Sequence, residues 1–139
     1  MRGARTAAAL LAVAVAAAGC YYYPTVVDAG GTRLRPEHGR AVRRGETVAV
    51  FFDLNSTGKF GDVLTGVAAP LARQARVVGA GGGALARLEI PGATTVSFTS
   101  DGPHVVLSEL TRPLVAGESI IVTLLFEKSG GIGVITLVE

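Results

Sequence analysis

Two histidines, one cysteine and a glycine run are the residues of this chain with the plainest capacity for chemistry. His38 lies in a basic stretch and His104 opens a strand-like segment. A stable metal centre normally takes several ligands, so one isolated imidazole is not a site. The sequence has no CxxC, no HxH and no HExxH. Without further context His104 reads as a strand-edge histidine. Ser100, Asp101 and His104 are close in sequence, but a nucleophilic triad usually draws its members from separate segments. There is no G-x-S-x-G elbow, and Asp101-Gly102-Pro103 is accounted for by a turn. Gly79-Ala80-Gly81-Gly82-Gly83-Ala84 matches G-x-G-x-x-A, with Asp101 downstream. A dinucleotide site needs that loop to open a full helix. Only Leu85–Ile90 precedes Pro91, so a hairpin loop is expected there. No enzyme is expected.

Cys20 is the only thiol, which rules out a disulfide within the chain. Its surroundings define its chemistry. Arg2 and Arg5 precede an uncharged run from Thr6 to Ala18, which ends in small residues before Gly19-Cys20. Positive, apolar and small in that order is the secretory leader layout. The run falls short of the ~20 apolar residues that cross a bilayer. Ala17-Ala18-Gly19-Cys20 resembles a bacterial lipobox, with Ala17 in place of the usual leucine. A single cysteine in an exported chain is free, cross-linked or modified; its place at the cleavage junction selects lipidation. The expected arrangement is a leader over residues 1–19, a membrane-proximal tether over 20–44 and one domain over 45–139. The protein would then sit outside the cytoplasm, attached to the membrane through Cys20.

The leader also explains the basic balance. Lys and Arg number 13 and Asp and Glu 11; Arg2 and Arg5 fall in the leader, so the remainder balances at 11 and 11. A nucleic-acid partner is therefore not expected. The tether contains Pro24, Gly30-Gly31, Pro36 and Gly39 and is locally basic through Arg33, Arg35, Arg40, Arg43 and Arg44. Such residues near an anionic bilayer contribute on the order of 1 kcal/mol each; a solvated linker is the favoured reading, because charge runs usually stay wet.

Short strands must position whatever chemistry there is. Val48, Val50, Phe52 and Leu54 alternate within Thr47–Asn55, and Ile120, Val122, Leu124 and Phe126 within Ser119–Phe126. Further strands are expected over Asp62–Ala68, Gln74–Val78, Leu85–Ile90, Thr94–Thr99, His104–Leu110 and Gly133–Val138. Turn residues punctuate them at Asn55–Gly58, Pro91-Gly92, Asp101–Pro103, Ala116-Gly117 and Ser129–Gly131. Pro70 breaks the one stretch open to a helical reading, Val67–Val78. This spacing implies an all-β sandwich or barrel.

The stretch from Asp101 to Leu114 (DGPHVVLSELTRPL), with Gly117 and Ile121–Lys128, resembles the PCu(A)C family of periplasmic copper chaperones. Val50–Gly58, Gly66–Pro70 and Leu88–Gly92 resemble its earlier segments, and the likeness runs from about Val48 to Glu139. It implies a cupredoxin-like Greek-key β-sandwich that carries Cu(I) towards copper enzymes such as cytochrome oxidase. The family holds copper through a His…Met…His-x-Met pattern, in which His104 takes the third place. Val106 stands at the last methionine, no histidine occurs near Arg76–Val78, and no methionine occurs near Leu85. The only methionine is Met1, which leaves with the leader. Cu(I) prefers thiolate and thioether ligands, so the resemblance implies the family's fold with a degenerate copper site. No bound cofactor is expected. The role implied is non-enzymatic, binding a protein partner at the membrane surface, such as a component of copper-enzyme assembly. The alternative is a copper carrier using His104, His38 and a carboxylate such as Asp101 or Glu109, a set better suited to Cu(II).

Overall fold

A computed structural model describes residues 27–139; the expected leader and Cys20 lie outside the described residues. Every strand or helix assigned within them is a strand: β1 (Val27–Ala29), β2 (Thr32–Arg44), β3 (Thr47–Ser56), β4 (Asp62–Ala68), β5 (Ala72–Val78), β6 (Ala84–Leu85), β7 (Leu88–Ile90), β8 (Thr94–Phe98), β9 (His104–Leu110), β10 (Ser119–Phe126) and β11 (Gly130–Val138). They form one sheet in the order β6-β5-β9-β3-β2-β11-β10-β4-β7, with β1 on β2 and β8 on β3. All pairings are antiparallel except β11 with β2, where Thr136 lies opposite Gly39. The sheet curls so that β4 and β5, joined through Pro70, come together across one core. The all-β sandwich implied by the sequence is the observed architecture.

The alternating stretches build the core. Val48, Val50, Phe52 and Leu54 are all at most 2% exposed, and the Phe52 ring stacks on Phe98 with centroids 4.2 Å apart. Ile120, Val122, Leu124 and Phe126 point into the same core. β3 is central enough to bury its other side as well: Ala49 and Phe51 are 3% and 7% exposed.

Two expectations need correction. Residues 32–44 are not tether but β2, paired along β3 from Leu34 to Arg44. Arginine, proline and glycine are poor strand formers, and they masked an inward set that includes Thr32, Leu34 and Ala41, each 0% exposed. Pro36 sits opposite Leu54, between the stretches of β2 that pair with β1 and β11. Gly39 serves close approach and not linker flexibility. It follows His38, whose φ is +56°, at a bulge in the β2–β3 register. A β-carbon at position 39 would lie 2.3 Å from the Ile135 carbonyl oxygen. Gly39→Ala must push β11 away from β2, and we expect a loss of about 2 kcal/mol, measured by urea unfolding. An unchanged midpoint would refute this.

The second correction concerns Leu85–Ile90, which is two short strands. β6 pairs with β5 and β7 with β4, so the chain crosses between sheet ends at Arg87. The glycine run forms the β5–β6 hairpin loop, closed by Gly79 N–H donating to Gly83 O at 2.9 Å.

Candidate functional site

His104 reaches its position through an excursion of the backbone. β8 and β9 both pair with the same edge of β3, Phe98 opposite Phe52 and Val105 opposite Val50. Between them Thr99–Pro103 loops out, held by Thr99 N–H donating to Pro103 O at 3.0 Å and by Gly102 N–H donating to Thr99 O and Oγ1. His104 is where the chain rejoins the sheet. Its Nδ1 lies 3.0 Å from the Gly102 carbonyl oxygen. A carbonyl can only accept, so Nδ1 carries a proton, and in the neutral ring the Nε2 lone pair is free. The half-buried ring sits against Phe51, centroids 5.7 Å apart at 56°.

Side chains alternate across a strand, so His104 and Val106 share the outward side of β9. Register places Val78 opposite His104 and Arg76 opposite Val106, with Leu85 opposite Val77 on the adjoining hairpin strand. The register thus puts Arg76, Val78 and Val106 on one side with the single imidazole. Leu85, opposite the core residue Val77, lies on the other side of the sheet, and Ala84 takes the hairpin position beside Val78. Val78 is 3% exposed despite facing outward, so packing fills part of this place.

The other sequence candidates are dispersed. Among the described residues no three His, Cys, Asp or Glu side chains are grouped as a metal site would require. Asp101 lies exposed in the loop, and Glu109 lies exposed towards the far end of β9 with φ +51°. Ser100 makes no hydrogen bond to His104, whose Nδ1 is occupied by Gly102. His38 belongs to a separate open cleft of about 510 Å³, lined also by Arg40, Arg44, Phe51, Asp53 and Ser100. There His38 Nδ1 is 3.2 Å from Asp53 Oδ2. The Arg40 and Arg44 guanidinium carbons lie 5.7 and 5.5 Å from the Phe51 ring centre, so cation–π contacts cover this ring.

Sequence reasoning missed Phe51 and Asp62. Phe51 occupies an outward position of an alternating strand, and the two arginines of β2 and the His104 ring cover it. Asp62 is 4% exposed and accepts from Val63 N–H at 2.7 Å, Lys128 N–H at 3.0 Å, and Ser129 N–H and hydroxyl at 2.9 and 2.7 Å. Burial alone would raise its carboxyl pKa. The Ser129 hydroxyl and the three backbone N–H groups outweigh that and hold it below the ordinary value. The carboxylate ties β4 to the β10–β11 hairpin.

Solved structures share this architecture. The copper-bound PCuAC domain from PmoF2 is 22% identical with a TM-score of 0.68, covering 82% of this chain and 97% of that one. The apo PCuAC domain from PmoF1 is 21% identical with a TM-score of 0.68, covering 82% and 98%. The solution structure of Cu(I)-DR1885 from Deinococcus radiodurans is 25% identical with a TM-score of 0.64, covering 73% and 74%. These likenesses establish the PCuAC, cupredoxin-like fold. No curated protein matches the chain. The sequence family described as "Putative lipoprotein LpqE-like" matches residues 22–138, most of the chain and the whole of β1 to β11; the chain belongs to the LpqE-like family.

Proposed function

We propose that this protein is a cell-envelope lipoprotein, cleaved before Cys20 and lipid-anchored there on the extracytoplasmic side. Its PCuAC-fold domain has lost the copper-ligand set and works without enzymatic chemistry, by binding a protein partner in copper-enzyme assembly. The observation that carries this reading is the β5–β9 register. It sets Arg76, Val78 and Val106 beside His104, and none of these three side chains is a soft donor. Cu(I) needs thiolate or thioether, and one imidazole does not replace three ligands. The leader layout of residues 1–19 and the family description support the anchor.

The test is a Cu(I) titration of residues 21–139 against a competing chelator, beside His104→Ala. The expected result is no competition by either protein. Binding tighter than about 1 pM, some −16 kcal/mol, that disappears in His104→Ala would overturn the loss of the site.

One observation favours a second reading. A metal-binding imidazole typically donates its other ring nitrogen to a carbonyl or carboxylate, and His104 does so towards Gly102. In that reading His104, with His38 and either Asp101 or Glu109, carries Cu(II). Cu(II) binding lost in both His104→Ala and His38→Ala would support it; a titration indifferent to both substitutions would end it.

A further inference from the structure

The outward side of β10 and β11 is apolar where an antiparallel sheet facing water is ordinarily polar. The inward residues of both strands are buried, and among their exposed outward neighbours only Ser119 is polar. Ile121 is 56% exposed, Ile135 60%, Leu137 50% and Leu125 38%. Register sets Ile121 directly opposite Ile135, Ser119 opposite Leu137 and Leu125 opposite Gly131. β4 continues the face with Gly66 opposite Leu125 and Ala68 opposite Thr123. Across these three strands the outward positions carry no charge. Charge resumes only at the borders, with Arg40 opposite Leu137 on β2 and Glu89 opposite Val63 on β7. Contiguous apolar surface of this kind marks an interaction face.

The path of the chain says what lies against it. β3 occupies one edge of β2 from Leu34 to Arg44, so β1, paired at Thr32–Leu34, must share the other edge with β11, paired at Gly39–Ala41. β1 is antiparallel to β2, so its first residue, Val27, lies at the end of β1 nearer the stretch of β2 that pairs with β11. Cys20 is seven positions before Val27, a reach of at most about 25 Å. A lipid on Cys20 therefore keeps β11 within that reach of the bilayer, plus the few ångströms between Val27 and β11.

We infer that the outward face of β10–β11 rests on the lipid bilayer, with Ile121, Leu125, Ile135 and Leu137 in the interface and Arg40 at its rim. The inference rests on anchoring at Cys20, and it fixes the orientation in which the domain is presented. The outward side of β9 and β3, with His104 and Phe51, lies beyond Arg40 and is then left to the aqueous side for a partner.

The chain has no tryptophan and one cysteine, which permits a clean experiment on residues 20–139, a span that includes every core residue. Cys20 is coupled to a maleimide lipid in phosphatidylcholine vesicles containing some phosphatidylglycerol and brominated acyl chains, which quench indole on contact. Ile121→Trp should lose most of its emission and shift to the blue. Ser97→Trp, on the outward side of β8 with β3 and β2 between it and β11, should keep its emission. Ile135→Lys added to Ile121→Trp should restore the lost intensity, with the circular dichroism of the fold unchanged. Equal quenching at both positions, or none at either, would overturn the inference. So would a blue-shifted Ile121→Trp signal without vesicles in a particle of twice the monomer mass, which would assign the face to a second copy. The maleimide supplies the tether chemically, so these outcomes are independent of native lipidation. The mass of the Cys20 peptide from cells tests that separately: an unacylated peptide would refute the anchor while leaving the vesicle result standing.

Discussion

The combined substitution Arg76→His, Ala84→Met and Val106→Met is expected to raise Cu(I) affinity at least about a thousandfold, roughly 4 kcal/mol. The scaffold for this gain is already in place. Arg76 faces Val106 and Val78 faces His104 across β5 and β9, and side chains directly opposite in an antiparallel pair have β-carbons about 5 Å apart. Ala84 on the adjoining hairpin strand lies opposite Val78 and shares this outward side, whereas Leu85 lies opposite the core residue Val77. Arg76 and Ala84 are exposed and Val106 is half-buried, so none of the three changes opens the core. His104 is already oriented, because the Gly102 carbonyl engages Nδ1 and leaves Nε2 to bind. What is missing is sulfur, and sulfur is what Cu(I) selects. His104→Ala added to the triple variant should abolish most of the gain. A folded triple variant that still fails to compete with the chelator would mean that more than side-chain identity was lost. The shape of the Gly79–Gly83 loop would then be the prime suspect.

Asp62→Ala is expected to lower stability by about 3 kcal/mol, or roughly 10 °C in Tm for a domain of this size. The substitution strands the N–H groups of Lys128 and Ser129 and the Ser129 hydroxyl where they were satisfied by one buried carboxylate. It also unties the β10–β11 hairpin from β4, although the Glu127 N–H to Val63 O bond at 3.0 Å remains. Acid should act in the same direction. The folded carboxyl pKa is depressed, so the contribution of Asp62 is fully present above the ordinary carboxylate value, about 3.9. It is lost as pH falls through the lower folded value. Wild type should therefore lose stability below about pH 4, and Asp62→Asn should flatten that part of the curve. Identical acid limbs in wild type and Asp62→Asn would refute the assignment. Asp62 matters to function through position: the hairpin it ties down carries Ile121 and Ile135.

Where hydrophobic alternation was strong, the fold could be read from the sequence. Thr47–Asn55 and Ser119–Phe126 needed only their period of two, because one side of each strand makes the core. β2 escaped because its inward residues are few and its outward ones are arginines, with Pro36 and Gly39 imitating a linker. Only the pairing partner β3 reveals it as a strand. The split of Leu85–Ile90 was invisible for a related reason: each half is too short to have a period, and the difference lies in which neighbour it meets. At the site, sequence could name His104 and the absent ligands, while the gathering of Arg76, Val78 and Val106 around it depends on register. Asp62 had no signal of its own, since a carboxylate opening a strand is usually solvated. Its three backbone donors, from β4 and the distant β10–β11 turn, exist only in the folded chain. The outward Ile121 and Ile135 were legible as residues of alternating strands, but their charge-free setting appears only when β4, β10 and β11 lie side by side.

The most direct test of the central claim, that a PCuAC fold here no longer seats Cu(I), is a long-range ¹H–¹⁵N correlation spectrum of the His104 ring. It is recorded before and after addition of Cu(I) buffered by a competing chelator. The Nδ1-protonated tautomer is expected, with an Nε2 resonance that stays where it was on adding copper. A large Nε2 shift that saturates at one equivalent would contradict it and restore His104 to a working copper site.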